Sequence, residues 1–244
     1  MSKGFVIFAQ NNGTTDYVRQ ANILKKSIEK NCKNKDVLIL SNFDDDLSKD
    51  SHWKIENRFK AFDLSPFDET IVLDADMYCA SSIDDFFNSN EDISFTTNVK
   101  TYRNQTVVDN YYRKTFLHNN LPNVYSACYY FKKTQKSKEF FDLFGIVCTN
   151  WKSFWDTFTP NKQQSWFSID VAASITSKIL DLPNDNNFEF VHMKPYIQNW
   201  KHVPNKWTNK LTFSCDSDLY VGNFKQKGLF HYVEEEFSDV LSLL

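Results

Sequence analysis

Two carboxylates one residue apart close an apolar run at Ile71-Val72-Leu73-Asp74-Ala75-Asp76-Met77. In an open parallel sheet, ligands bind outside the carboxyl ends of the strands, so a pair placed there faces the binding crevice. Side chains alternate along an extended chain, which sends Asp74 and Asp76 to the same side. Hard cations such as Mg²⁺ or Mn²⁺ take oxygen ligands and keep positions open for substrate phosphates. An Asp-x-Asp here can therefore hold a metal that bridges a diphosphate. The same pattern also arises as a loop or helix cap, so the elements around it decide.

Those elements read as an α/β fold. Phe5 to Ala9 is a continuous apolar run, as in a strand buried on both faces. A polar loop, Gln10 to Thr15, follows, with Thr15 or Asp16 placed to cap a helix. Val18, Ala21, Leu24 and Ile28 recur at helical spacing over Tyr17 to Lys30, and Val37 to Leu40 forms a second buried strand. This strand–helix–strand opening predicts a mostly parallel, Rossmann-like sheet. Further strands are expected at 71–73, 93–96, 124–131 and 188–191, and helices at 137–147 and 165–180. Strand-like pieces at 211–213, 219–221 and 229–233 form a small C-terminal β/loop extension. No repeat or linker interrupts the chain, so residues 1–244 read as one domain.

Composition excludes several classes. The chain has 244 residues, net charge −3, 41% apolar and 16% aromatic residues, enough for one sizeable core. With 5 Gly and 6 Pro it is neither collagen-like nor linker-rich. No window approaches 18 consecutive apolar residues, and Phe5 to Ala9 is too short for a signal-peptide core. Cys32, Cys79, Cys128, Cys148 and Cys215 are odd in number and far apart, without a C-x-x-C. The expectation is a cytoplasmic protein with reduced thiols, in a host cytoplasm if phage-encoded, monomeric or weakly oligomeric. Neither G-x-x-x-x-G-K-[ST] nor G-x-G-x-x-G occurs, which disfavours P-loop and dinucleotide enzymes.

The stretch from Arg58 to Asp76, above all Leu64-Ser65-Pro66-Phe67-Asp68-Glu69-Thr70-Ile71-Val72-Leu73-Asp74-Ala75-Asp76, resembles GT-A glycosyltransferases of the glycogenin and lipopolysaccharide-galactosyltransferase type. The resemblance covers residues 4–76 well and 120–231 loosely. It implies a GT-A fold, a Mn²⁺ or Mg²⁺ cofactor held by Asp74 and Asp76, and transfer of a sugar from a nucleotide diphosphate, a UDP-sugar, to an acceptor hydroxyl. The family's lysine sixteen residues before the first Asp corresponds to Arg58, a phosphate ligand by this reading or a surface helix charge by the plainer one. Asn11, Asn12 and Tyr17 match the loop and helix that hold the uridine. Ser126, in Tyr125-Ser126-Ala127, is what remains of an Asn-Ser-Gly beneath the sugar. Asp170 matches an acidic residue facing donor and acceptor, and is the candidate catalytic base for an inverting transfer, although the family retains configuration. The C-terminal His and Lys-Pro-Trp signature departs most. Val191-His192-Met193-Lys194-Pro195-Tyr196 keeps the residue types but not the spacing, and Phe230-His231-Tyr232 is the second option. His192 and His231 thus both stand as metal ligands, with Lys194 on the pyrophosphate. A metal-dependent phosphohydrolase is the alternative class, but its nucleophilic Asp belongs near the first strand, where Gln10-Asn11-Asn12 stands. A non-catalytic nucleotide- or glycan-binding module is the other.

Charge is segregated. Residues 1–97, the expected nucleotide-sugar half, carry net −6, whereas 98–138 carry +7 and 194–227 carry +4. Both basic stretches interleave aromatics: Tyr102, Tyr111, Tyr112, Tyr129 and Tyr130 in one, Tyr196, Trp200, Trp207 and Phe213 in the other. Lysines with stacking rings suit an anionic polymer, while the plainer reading is that they decorate solvent-facing loops. On the first reading, the acceptor half, 98–244, takes DNA carrying a hydroxymethylated pyrimidine, as a phage DNA-modifying transferase would, with a saccharide or protein hydroxyl as the alternative.

Overall fold

A computed structural model describes residues 1–106, 113–161, 166–183, 188–192, 213–214, 218–232, 235 and 237–243. In chain order the elements are β1 (Lys3–Phe8), α1 (Tyr17–Asn31), β2 (Val37–Leu40), α2 (Ala61–Leu64), β3 (Glu69–Asp74), β4 (Met77–Cys79), β5 (Ile93–Thr96) and β6 (Asn98–Lys100). There follow α3 (Lys114–His118), β7 (Tyr125–Lys132), α4 (Gln135–Thr149), α5 (Trp151–Phe158), α6 (Ile169–Ile179) and β8 (Glu189–His192). The chain continues through β9 (Phe213–Ser214), β10 (Tyr220–Val221), β11 (Phe224–Lys225), β12 (Leu229–His231) and α7 (Phe237–Leu241). The fold is mixed α/β, as the sequence pattern predicts.

The central sheet has the order β2-β1-β3-β7-β5. β1 pairs parallel with both β2 and β3, whereas β7 runs antiparallel to its neighbours β3 and β5. Four of the five strands thus share one direction. Phe5, Ile7, Ile71 and Leu73 pack on one face with Ala21, Leu24 and Ile28 of α1. Val6, Phe8 and Val72 pack on the other with Phe140, Phe141 and Phe144 of α4 and Ala172 and Ile175 of α6. This two-sided burial explains why β1 and β3 read as unbroken apolar runs. Each buried Phe of α4 contributes on the order of 2–3 kcal/mol by leaving water. Gly4 is required by close approach: a Cβ there would strike the Phe67 ring.

A second sheet, β4-β12-β8-β6, and a small meander, β11-β10-β9, complete the described strands. β8 pairs parallel with both β6 and β12, and β12 pairs antiparallel with β4. The three-residue strands β4 and β6 escape a reading based on apolar runs because they are too short to show a period. Two expectations are corrected. β2 is only partly buried throughout, being the edge of its sheet. The helix expected over 165–180 begins at Ile169, because Ser168 adopts an extended conformation and its Oγ caps the Val171 N–H at 3.2 Å. Among the described residues no helix is long and apolar enough to cross a membrane.

Candidate active site

β3 ends at Asp74, and the chain turns through Ala75 and Asp76 before entering β4. This turn passes the chain from the central sheet to the second one. The carboxylates therefore do not lie along one extended strand, as alternation would have it. The neighbouring strand brings them a third group. β12 pairs with β4 in the register His231↔Met77, and the Tyr232 N–H donates to the Asp76 carbonyl at 3.1 Å. Backbone pairing thus sets His231 beside Asp76. Its Nε2 lies 3.0 Å from Asp76 Oδ1 and 3.9 Å from Asp74 Oδ2. One ligand atom from each of Asp74, Asp76 and His231 lies within 4.8 Å of the others. Two carboxylates and an imidazole so placed could hold a divalent cation.

Arg58 lies beneath this cluster, 5% exposed. It ion-pairs with Asp74 Oδ1, and its Nη1 donates to the Ser126 carbonyl at 3.1 Å. The resemblance implied a phosphate ligand and the plainer reading a surface charge. The structure buries it, against the surface-charge reading, as a counter-ion that fixes one oxygen of Asp74 while Oδ2 lies toward His231. Burial pushes the Asp74 carboxyl up from its ordinary value despite Arg58. Burial also opposes the ionisation of Asp76 and His231, but their mutual attraction wins, holding Asp76 low and His231 high.

A second cluster is closed. Asp170 sits in the first turn of α6, where the helix start favours an anion. Its Oδ1 accepts from the Ser126 N–H at 2.8 Å and the Ser126 Oγ at 2.5 Å, and its Oδ2 accepts from Arg113 Nη2 at 2.7 Å. Arg113 also donates to the Val124 carbonyl at 2.7 Å and stacks on the Tyr125 ring, 3.4 Å from its centroid. Asp170 is thus already engaged on both oxygens.

Both clusters line one cavity of about 350 Å³. The sequence-predicted Tyr17, Arg58, Asp74, Asp76, Ser126, Asp170 and His231 all border it. Burial, then Asp76 and Asp74, push the Tyr17 phenol up to about 12, so it stays a neutral donor. Asn11 and Asn12 line a neighbouring groove with Lys49 and His52 instead. Their side chains hold the loop: Asn11 Oδ1 accepts from the Val18 N–H, and Asn12 Oδ1 from those of Thr14 and Thr15. The His192 backbone pairs in register with His231, while the His192 side chain and Lys194 lie outside the described residues.

Sequence reasoning missed Gln10, Trp53, Lys54, Arg113, Tyr125 and Trp166 as cavity residues. A signal existed for Arg113. The chain has only four arginines among its 28 basic residues, and two of them, Arg58 and Arg113, pair with carboxylates of this cavity. Trp53 and Trp166 belong to loops without periodicity, and nothing local marked them. The stacking argument for DNA is corrected in part: Tyr129 and Tyr130 are fully buried core residues, and Tyr102 packs edge-on against Phe224. Tyr111, Tyr112, Tyr196, Trp200 and Trp207 lie outside the described residues.

Fold and site together define an α/β protein with a carboxylate–imidazole cluster at the carboxyl edge of its central sheet. No family model matches the chain, and no curated protein matches it. Solved structures of similar outline include a glycosyltransferase involved in the glycosylation of the major capsid of PBCV-1, at 10% identity and TM-score 0.49, covering 100% of both chains. The glycosyltransferase GlyE of Streptococcus pneumoniae TIGR4 aligns at 10% identity and TM-score 0.46, over 99% of this chain and 61% of that one. The WbbM bifunctional glycosyltransferase aligns at 13% identity and TM-score 0.39, over 59% of this chain and 34% of that one. The chain thus spans about a third of WbbM's length.

Proposed function

We propose that the protein is a metal-dependent glycosyltransferase that moves a sugar from a nucleoside-diphosphate donor, a UDP-sugar, to an acceptor hydroxyl. The observation that carries this reading is the Asp74–Asp76–His231 cluster on the floor of a cavity large enough for a nucleotide sugar's reactive end. Bound there, Mn²⁺ or Mg²⁺ supplies charge neutralisation for a departing diphosphate. The chain's own residues do the rest. Arg58 locks Asp74, and the β4–β12 pairing locks Asp76 against His231, so little reorganisation remains when the ligand arrives. Asp170, fixed by Ser126 and Arg113, presents a rigid carboxylate edge to the donor sugar's hydroxyls. Tyr17 offers a ring and a neutral hydroxyl to the base. Both parts of a single domain contribute to the donor site, residues 1–97 through Tyr17, Arg58, Asp74 and Asp76 and residues 98–244 through Ser126, Asp170 and His231.

For the acceptor we infer a saccharide hydroxyl. Trp53 and Trp166, each 51% exposed, border the cavity and offer flat apolar faces to a sugar ring. The test is a panel of UDP-sugars with Mn²⁺, with and without oligosaccharides and hydroxymethylcytosine DNA, followed by UDP release and product mass. The expected result is UDP release that saccharide acceptors stimulate and Asp76→Asn removes. Stimulation by the DNA alone would replace the acceptor. Release of phosphate from simple phosphomonoesters without any UDP release would overturn the transferase reading in favour of a phosphohydrolase.

A further inference from the structure

We propose that Cys32 and Cys79 form a site of reversible oxidative modification, closing to a disulfide that ties α1 to the strand leaving the carboxylate turn. They are 47 residues apart in sequence, which is why their spacing signals nothing, yet their Sγ atoms lie 3.6 Å apart in hydrogen-bond contact. The seam around them is already aligned. The Cys79 N–H donates to Ser27 Oγ at 2.9 Å, and Asn31 Nδ2 donates to the Cys79 carbonyl at 2.8 Å, so the last turns of α1 strap the Cys79 backbone. Cys32 is the residue at which the helix ends, and Lys33 beyond it is exposed. A disulfide needs its sulfurs at about 2.05 Å, an approach that rotation about the Cys32 side chain at a helix terminus can supply.

The two thiols are unequal. The hydrogen bond from Cys79 favours the Cys32 thiolate, whereas Cys79 is held protonated by that same bond and by burial. Cys32 is thus the attacking group toward a hydroperoxide. Its sulfur takes one peroxide oxygen to give a sulfenic acid and water. The Cys79 sulfur then displaces that oxygen as a second water. Two thiols and one hydrogen peroxide thus become one disulfide and two waters, a two-electron oxidation that a dithiol reverses. Cys128 and Cys148, buried as Cys32 and Cys79 are, have no such neighbour among the described residues, and burial pushes both thiols up.

The enclosed loop, from Cys32 to Cys79, contains Arg58, Asp74 and Asp76, so closure tethers the segment that carries the proposed site. The test treats the whole protein with hydrogen peroxide, blocks the remaining thiols in denaturant, and maps peptides without reduction. We expect the five titratable thiols to fall to three, one linked Cys32–Cys79 peptide lighter by about 2 Da, and Tm raised by about 5 °C or more until dithiothreitol restores it. Cys32→Ser is expected to abolish all three changes, and Cys79→Ser, which keeps a hydroxyl donor beside Cys32, to leave a Cys32 sulfenic acid that dimedone traps. Five thiols remaining after oxidation, a link between other cysteines, or a Tm rise that persists in Cys32→Ser would overturn the proposal. None of these readouts depends on sugar transfer.

Discussion

Asp76 and Asp170 line the same cavity, but their surroundings are built on different plans. Asp76 belongs to a cluster whose other members are a second carboxylate and an imidazole, with a single buried guanidinium beneath. Asp170 belongs to a cluster in which each carboxylate oxygen already has donors, from Ser126 on one side and Arg113 on the other. The first arrangement concentrates anionic donor atoms and gains from a cation. The second is complete as it stands and gains rigidity. On the proposed reading, a residue of the first kind governs ligand binding with modest effect on the fold, whereas one of the second kind governs the fold as well as its own contact with the ligand.

The sharpest way to break this contrast is Asp76→Asn. Removing one ligand oxygen from a preorganised charge site costs on the order of 10³-fold in turnover, about 4 kcal/mol of transition-state stabilisation. Mn²⁺ binding followed by electron paramagnetic resonance should weaken in parallel, while the melting temperature moves less than in any Asp170 variant. A large loss of stability with unchanged Mn²⁺ affinity would mean that Asp76 is a structural anion after all.

Asp170→Asn tests the other side. It takes the carboxylate charge away from the Arg113 guanidinium, which is only 10% exposed at the side chain and keeps its bond to the Val124 carbonyl. Weakening an ion pair this far buried is expected to cost about 2–3 kcal/mol, below the full figure for a completely buried pair. Urea unfolding should register that loss, and Arg113→Met in the same chain should recover part of it. Equal losses in the single and double variants would show that the pair is not coupled. If Asp170→Asn instead leaves stability intact but removes Mn²⁺ binding, the two clusters are one.

The contrast also explains what was legible in the sequence. The Asp74/Asp76 pair was visible because a buried strand must end somewhere, and β3 ends in charge. Arg58 was visible only through its distance from Asp74, and its burial beneath the pair was not. His231 competed with His192 because both close apolar runs, and only the β4–β12 register sets His231 beside Asp76. The partner of Asp170 was out of reach because Arg113 lies 57 residues away, in a stretch whose basic residues looked like a surface. Lys100, Lys132 and Lys138 in that stretch bond to Glu189, the Ser89 carbonyl and Asp142, so excess charge in sequence did not become an open basic face at those positions. Apart from Lys138–Asp142, one helical turn apart, long-range pairing decided these points, and it leaves no local period.

A smaller effect should come from the cap that aims Asp170. Ser168→Ala removes the hydrogen bond to the Val171 N–H and is expected to cost about 1 kcal/mol, with Ser168→Gly costing less. Denaturant midpoints check this. Because the cap sets where α6 begins, the same change should raise KM for the donor more than it lowers kcat. A pure kcat effect would place Ser168 in the chemistry instead of in the framework.

The smallest effect is confined to acid, and it extends the closed plan to a third carboxylate. Asp46 accepts from Asn57 at 2.5 Å, from the Ser48 N–H at 2.8 Å and from Gln10 at 3.0 Å, and Gln10 borders the cavity. Burial works against its charge, but these donors outweigh burial and hold the carboxyl below its ordinary value. A group whose folded value is depressed contributes stability that is fully present above its unfolded value, about 3.9. That stability is lost as pH falls through the lower folded value. Urea midpoints should therefore be flat with respect to Asp46 at neutral pH and decline below about pH 4, where Asp84, held low by the Lys33 and Asn34 N–H groups, adds to the same decline. Asp46→Asn should make that acid slope shallower while leaving Mn²⁺ affinity unchanged. An unaltered slope would mean that Asn57 and Gln10 hold the loop without help from the Asp46 charge, and the closed plan would then belong to Asp170 alone.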